Sequence, residues 1–376
     1  MERVVLEISY NNLKHNIDLI KKITNNKSII CMVKDNAYGL GGVNIAKFLS
    51  TDSNVKAFAV ASFGEANHLK ENNIIKDIII IGHIFKDQYE DAIKNNFIIT
   101  VSTLEQVMLL NDIAKRINKQ VRLEIGIDSG MGRIGFPISE DTLEDIKKIN
   151  NLENTSIYGF FTHFSVADCN IDDLENIKCT DNQENRFNEF IDKIDKLGIT
   201  YNDVSISNSA GILTDRGTRY SSVRPGIILY GLLPNPELSK YDFKPIMRLK
   251  SRIVHIKEID KNTSISYGRT FISKDKMRIA TIACGYGDGY PRSASNKAHV
   301  IINDTKCPVV GRVTMDMFMV DVTNVDCKIE DIAILVGKSD NQEITYQDIC
   351  DLTGDFIYEL LTKINQRVKR IYVDEF

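Results

Sequence analysis

The sequence predicts an α/β chain in two parts, an N-terminal (β/α)8 TIM-type barrel followed by a C-terminal, mostly-β domain. Three observations predict it. The chain has 376 residues, whereas a barrel of this kind takes roughly 250, so a second unit is left over. The first two-thirds alternates short apolar runs with amphipathic stretches, which implies right-handed crossovers and a parallel sheet. After about Leu233 strand-like runs follow one another without long helices between them, as in an antiparallel unit.

The barrel strands are read at Ser28–Lys34, Ala57–Ser62, Asp77–Gly82, Phe97–Ser102, Val121–Asp128, Ser156–Phe164, Asp203–Asn208 and Ser222–Leu229. They are near-continuous apolar runs, as parallel strands covered on both faces require. Between them, Phe63–Lys70 reads as a helix opened by Ser62. Thr103–Ile117 carries Leu104, Val107, Met108, Leu110, Ile113 and Ile117 at helical spacing, and Ser139–Ile149 and Asp181–Leu197 are similar. The linker is placed at Pro234–Glu237, which gives a barrel domain over 1–233 and a β-rich domain over 238–376. In the latter, strands are expected at Ile246–Lys257, Met277–Cys284, His299–Ile302, Lys306–Val313, Met317–Val322 and Ile332–Val336. Short helices at Thr345–Leu352 and Phe356–Ile364 then precede a last strand, Val368–Val373. Val4–Ile8 is expected to join this β unit, since the barrel needs no ninth strand.

Composition narrows the function classes. A net charge of −4 points to neither nucleic acid nor an anionic membrane. The longest apolar runs, such as Ile78–Gly82, fall far short of the roughly 20 residues that span a bilayer. The first eighteen residues hold no cationic segment followed by an apolar stretch, so no secretory signal is read. The 7 cysteines show no CxxC spacing, which argues against a disulfide framework or a zinc site and for a reducing cytoplasm. No metal is expected.

In a barrel, catalytic residues cluster at the carboxyl ends of the strands. Read that way, Lys34 ends the first strand, His163 the sixth, and Asn208 and Ser209 the seventh. Arg224, Gly226 and Ile227 lie on the eighth, and Arg133 follows the fifth in the glycine-rich turn Asp128–Gly135. A lysine at the end of an apolar strand packs its stem and leaves its amine near a mouth. Buried, it is easily depressed in pKa, which suits Schiff-base chemistry. Each of these residues also has a bland reading: Lys34 as a snorkelling strand end, His163 as a satisfied core histidine, Arg224 as the partner of a surface acid, Tyr267 as a strand-to-turn aromatic.

Eight motifs occur in order: Val33–Gly39 (VKDNAYG), Asp128–Gly135 (DSGMGRIG), Thr162–Phe164 (THF), Ser207–Ala210 (SNSA), Val223–Ile227 (VRPGI), Ser266–Thr270 (SYGRT), Gly285–Arg292 (GYGDGYPR) and Gly311–Asp316 (GRVTMD). In them the chain resembles the alanine racemase family, fold-type III enzymes of pyridoxal 5′-phosphate (PLP), through nearly its whole length. The resemblance implies racemization of a small amino acid, alanine above all, with Lys34 and Tyr267 as two opposed bases. Lys34 would also hold PLP. Arg224 would donate to the pyridine nitrogen, and His163 would stack on the ring, with Asn208 lining the same pocket. Tyr38, Ser209, Tyr286 and the amides of Gly226 and Ile227 would bind the phosphate. Arg133 would contact the cofactor's phenolic oxygen and the substrate, and the Met315 amide would meet the substrate carboxylate. The resemblance further implies a cytoplasmic homodimer that supplies D-alanine for peptidoglycan. Its sites would be shared, Tyr267 facing the barrel mouth of the other subunit.

Two positions depart from the family's pattern. Gly126 stands where many members carry a carbamylated lysine that holds the arginine matched by Arg133. Gln366 stands where the family often has a tyrosine beside the substrate side chain. An amide there can hydrogen-bond a polar substrate, which keeps serine as an alternative. A PLP decarboxylase of the same architecture relies on an acidic partner for the pyridine nitrogen, whereas this chain offers Arg224. A non-catalytic PLP-binding protein resembles a bare barrel, and a carrier needs no second base such as Tyr267.

Overall fold

The computed structural model describes residues 2–238 and 240–376. It divides into two compact units: Leu13–Ala37 with Gly42–Lys244, and the stretch up to Asn12 with Tyr38–Gly41 and Pro245–Phe376. After β1 (Val4–Ser9) and α1 (Tyr10–Ile23), the first unit runs β2 (Ser28–Met32), α2 (Gly42–Leu49), β3 (Val55–Val60), α3 (Phe63–Glu71), β4 (Asp77–Ile80), α4 (Tyr89–Lys94), β5 (Ile98–Val101), α5 (Leu104–Arg116) and β6 (Val121–Asp128). It continues through α6 (Glu140–Asn150), β7 (Thr155–Phe161), α7 (Leu174–Lys196), β8 (Asp203–Ser205), α8 (Ser209–Leu213) and β9 (Ser222–Val223). Each of the strands β2 to β9 pairs in parallel with the next. β9 returns to β2 through Ser222 and Ser28. Among the described residues the eight-stranded barrel is therefore closed. Met32 N–H donates to Pro225 O at 3.0 Å and Tyr230 Oη to Met32 O at 2.7 Å, which fastens the seam.

Local chemistry sets the helix starts. Ser62 accepts from Glu65 N–H, and the Glu65 side chain accepts from the Ser62 N–H, a capping box that opens α3. Thr103 and Ser139 cap α5 and α6 in the same way through their hydroxyls. α5 buries Val107, Leu110 and Ala114, one helical face.

Several boundaries differ from the sequence expectation. Several barrel strands stop two or three residues early, where their chains leave the ladder for the mouth loops. α7 starts at Leu174 rather than Asp181, because Asp173 accepts from Asn176 N–H at 3.1 Å and caps a first turn whose Leu174 is exposed, off the buried face of the helix. The eighth strand ends at Val223 rather than Leu229. Pro225 has no N–H to give a ladder, Gly226 takes φ −120°, ψ −94°, and Ile227–Tyr230 form a 3-10 turn.

In the second unit β10 (Met247–Ile259) is central. It pairs antiparallel with β1, with β11 (Met277–Ile282) and with β15 (Ile332–Lys338). β12 (His299–Ile302), β13 (Thr305–Val310) and β14 (Phe318–Asp321) complete the path from β15 back to β11, so these strands close on themselves. A ring of strands leaves few open edges to template aggregation. α9 (Tyr346–Thr353) and α10 (Ile357–Thr362) lead to β16 (Lys369–Val373), which lies parallel to β1.

The Val4–Ile8 segment belongs to this unit for a reason of charge as well as pattern. Glu7 pairs with Arg248 Nη2 at 2.7 Å and with Lys250. Burial raises the Glu7 carboxyl, and its hydrogen bonds and charges with Lys250 and Arg248 outweigh that and leave it below the usual carboxylate range.

The chain passes between the units at Lys244 and Pro245. Asn16 holds Lys244 to the first unit, its Nδ2 donating to Lys244 O at 2.8 Å and its Oδ1 accepting from Lys244 N–H at 2.8 Å. Tyr38–Gly41 belongs to the second unit because Arg370 donates to Gly39 O at 2.8 and 3.0 Å and Tyr372 Oη to Leu40 O at 2.9 Å. No helix among the described residues is long and apolar enough to cross a membrane.

Candidate active site

Lys34 leaves β2 directly into a left-handed turn. Asp35, Asn36, Ala37 and Tyr38 have φ of 51°, 53°, 54° and 53°, and Gly39 follows at 84°. Each such L-residue costs roughly 1–2 kcal/mol, so the turn must be held from outside. Glu65 supplies one hold, Oε1 accepting from Asp35 N–H while Oε2 accepts from Ala61 N–H at 2.8 Å. Asn36 Oδ1 accepts from Gly42 N–H at 2.7 Å, and Val33 O from Ala37 N–H at 2.8 Å. Burial first, and then the charge of Arg133, keep the Lys34 amine below the ordinary lysine range, against the pull of Glu65 and Asp35.

Arg224 lies buried beyond β9. Its Nη1 donates to Ser205 O at 2.9 Å and to Ser205 Oγ at 2.6 Å, Nη2 donates to Thr162 O, and its own N–H donates to Ser207 O at 2.8 Å. Burial pulls the guanidinium down to about 10, so it stays a cation at neutral pH, with Asp203, and Glu124 once it ionises, supporting the charge. Burial, then the charges of Arg224, Arg133 and Lys34, push His163 down to about 3, which keeps the imidazole neutral. His163 thus feels Arg224, Arg133 and Lys34, and Arg133 acts on all three other groups of the first unit. Gln183 of α7 steadies the histidine loop, Nε2 donating to His163 O at 3.2 Å and Oε1 accepting from Ser165 N–H at 2.9 Å. Sequence reading missed both Glu65 and Gln183. The Ser62–Glu65 spacing was a signal for the first, whereas a buried glutamine in an amphipathic helix carries none.

Asp128 Oδ1 accepts from Gly130 N–H at 2.9 Å and Gly132 N–H at 3.1 Å, which folds the glycine-rich turn that carries Arg133. At Gly126 an added Cβ would lie 3.3 Å from the Phe161 ring. The same ring has its centroid 5.0 Å from the Arg224 guanidinium carbon. The side chain nearest Gly126 is thus the Phe161 ring, with the Val101 carbonyl beside it. Asn208 caps α8, accepting from Gly211 N–H at 2.9 Å, and Ser209 Oγ accepts from Gly226 N–H at 2.9 Å. The Ser209 hydroxyl keeps its own proton to donate, and Ile227 opens the 3-10 turn, where N–H groups have no partner within the turn.

In the second unit Tyr267 sits at the tip between Ser264–Ile265 and Phe271–Ile272 and is 71% exposed. Ser266 Oγ donates to Arg312 O at 2.7 Å, and Gly311 (φ 80°) lets Ile265 O come within 2.9 Å of where a Cβ would be. The chain runs on to Thr314, whose carbonyl accepts from Tyr286 N–H at 3.0 Å. Tyr267, Tyr286 and Met315 are thus joined through adjacent loops, and all three are exposed. Gln366 is exposed as well, whereas Tyr38 is buried, its ring edge-on to Tyr358 at 6.0 Å.

Comparison with known proteins agrees with both units. The model of the alanine racemase N-terminal domain matches residues 8–234, and that of the alanine racemase C-terminal domain matches residues 246–372. An alanine racemase of Clostridium novyi is 38% identical over 371 residues, 98% of this chain and 94% of that protein. One of Methanococcus maripaludis is 36% identical over 98% of each chain. Among solved structures, the alanine racemase of Clostridium difficile 630 superposes with a TM-score of 0.92 at 35% identity, covering 100% of this chain and 97% of that one. The Bacillus anthracis enzyme with bound L-Ala-P gives 0.90 at 30% identity, covering 99% and 95%. This chain belongs to the alanine racemase family.

Proposed function

We propose that the protein interconverts L- and D-alanine with PLP, using Lys34 and Tyr267 as its two bases. The observation that carries the reading is the charge arrangement of the first unit. A buried lysine disfavoured as an ammonium, a neutral His163, a buried Arg224 and the cationic Arg133 share one electrostatic neighbourhood. That donor set fits an anionic aldehyde cofactor: an amine ready to bond to the aldehyde, an uncharged ring to stack, and fixed cations for an anionic partner. Tyr38, Ser209, Tyr286 and the Ile227 amide would hold its phosphate, the Gly226 amide joining them on release from Ser209 Oγ, and Asn208 would line the pocket. When bound, PLP withdraws electrons from the substrate α-carbon and so acidifies its proton.

The rest falls to the protein. Inversion of a tetrahedral carbon needs a proton removed from one face and another delivered to the opposite face. Lys34 Nζ would serve one face and Tyr267 Oη the other, each acting as base for one enantiomer and acid for its mirror image. Arg224 would donate to the ring nitrogen, and its fixed charge would disfavour protonation there. Met315 N–H and Arg133 would hold the substrate carboxylate. Tyr267 would come from a second copy of the chain, giving a homodimer with shared sites, a cytoplasmic setting and a role in supplying D-alanine to peptidoglycan.

Chiral chromatography of purified protein with PLP and L-alanine or L-serine, beside a Lys34→Ala control, tests this. D-alanine formed faster than D-serine, and lost in the control, is the expected result. Faster D-serine would shift the substrate to serine through Gln366, and no product would end the racemase reading.

A further inference from the structure

The strongest feature outside the residues already assigned roles is a charge network that joins three loops of the second unit. Asp288 lies at its centre with only 2% of its side chain exposed. Its Oδ1 takes Arg3 Nη2 at 2.6 Å and Arg367 Nε at 2.8 Å, and its Oδ2 takes Gly285 N–H at 2.9 Å. Arg367 reaches on, Nη2 contacting Asp316 Oδ1 at 2.9 Å and Met315 O at 3.3 Å. Arg3 Nη1 donates to Asp316 O at 3.0 Å. One buried carboxylate and two guanidinium forks therefore bolt together the loop of Tyr286, the loop of Met315 and the turn of Gln366.

The bolt acts on a particular peptide bond. Tyr286 N–H donates to Thr314 O at 3.0 Å, and Gly287 N–H donates to Met315 O at 2.9 Å. Thr314 C=O and Met315 N–H belong to one planar trans peptide, so they point in opposite directions. Fixing that carbonyl on Tyr286 aims Met315 N–H away from the loop. The next carbonyl, Met315 O, is fixed by Gly287 and Arg367 together. Gly287 has to be glycine for this, since a Cβ there would lie 2.5 Å from Arg367 Nη2.

We infer that Arg367, with Asp288 and Asp316, is a positioning element that aims the Met315 amide at the substrate carboxylate; this rests on the racemase reading of Met315. A single ammonium cannot serve Asp288, Asp316 and Met315 O together as the fork does. Arg367 and Asp316 are 40% and 46% exposed, and an exposed pair adds at most about 1 kcal/mol to stability. Losing the Asp316 pair should therefore disturb the aim and not the fold, and in Arg367→Lys the buried Asp288 keeps Arg3 and a cation at position 367.

The test measures KM and kcat for alanine, with melting temperature, in wild type, Arg367→Lys, Asp316→Asn and the double variant. Expected are a rise in KM of about tenfold for Arg367→Lys and about threefold for Asp316→Asn, with kcat within about twofold and an unchanged melting temperature. The double variant should be no worse than Arg367→Lys alone, since both act through one amide. Charge alone predicts the opposite sign for Asp316→Asn, because removing an anion near a bound carboxylate lowers KM. A flat or lowered KM in Asp316→Asn, multiplicative effects in the double variant, or losses that track unfolding would each overturn the inference. If Arg367→Lys fails to fold, Asp316→Asn decides alone. A wild type that does not racemize alanine would remove the racemase reading and the inference together, whereas an active wild type with an unmoved KM in the variants removes only the inference.

Discussion

The two units place their chemistry in opposite surroundings. The first unit buries it. Lys34, His163 and Arg224 all have their titration displaced mainly by loss of water, and beneath them the barrel interior carries Glu124, Lys56 and Asp203. The second unit displays it. Tyr267, Tyr286 and Met315 stand on exposed loops held by backbone bonds and by the Asp288 network. Burial tunes charge, because a desolvated group resists ionisation unless a partner compensates it. Loops exposed in the single chain have no such desolvation there, and what the chain itself supplies at them is direction. The comparison implies that changes at Lys34, His163 and Arg224 will move pH behaviour, while changes at Tyr267 and Met315 will move turnover and substrate affinity.

The largest effect tests the buried side. Lys34→Ala removes the proposed cofactor tether and one base at once, and the loss of racemization should be at least about 10⁴-fold, the upper range for a single general base. Retention of PLP absorbance through gel filtration in that variant would sink the tether role. Next comes the displayed side. Tyr267→Phe keeps the ring and deletes the proton carrier, so inversion should fall by about 10²–10⁴. In deuterated water one enantiomer of alanine should still exchange its α-proton through Lys34 without inverting. Exchange lost equally for both enantiomers would show that Tyr267 is not a base for one face only. A smaller effect separates the units by assembly. If Tyr267 serves a second chain, activity per chain should drop on dilution into the monomeric range found by analytical ultracentrifugation, and constant activity there would place the tyrosine's action within one chain.

How much of this was legible in the sequence follows the same division. The barrel could be read because parallel strands are apolar runs and their helices carry caps, as Ser62, Thr103 and Ser139 show. The mouth could be read because Lys34, His163 and Arg224 fall at strand ends. The strand ends themselves could not, since Pro225 and Gly226 turn the chain out of the ladder inside an otherwise apolar run. Nor could the left-handed turn after Lys34, because Ala37 and Tyr38 disfavour such φ values and the Glu65 contact that holds it is tertiary. The Asp288 network was hidden for a related reason: Arg3, Asp288, Asp316 and Arg367 come from four separate stretches of chain, and no local spacing links them.

The smallest effect sharpens the comparison most, because it needs no catalysis. Glu124 is fully buried on β6, and its Oε2 finds no hydrogen-bond partner among the described residues. Burial and the neighbouring Asp203 push its carboxyl up to about 8, against the pull of Arg224 and Lys56. The folded protein therefore keeps a proton on Glu124 that the unfolded chain gives up near pH 4.5. Stability from this group is full below the unfolded value and is lost as pH rises through about 8. Glu124→Gln mimics the protonated form at every pH. Its melting temperature should match wild type near pH 5 and exceed it by several degrees near pH 9, given roughly 2–4 °C per kcal/mol for chains of domain size. A difference that is flat with pH would mean that Glu124 is ionised in the fold, paired with Arg224 or Lys56, and that the barrel interior compensates its charges instead of suppressing them.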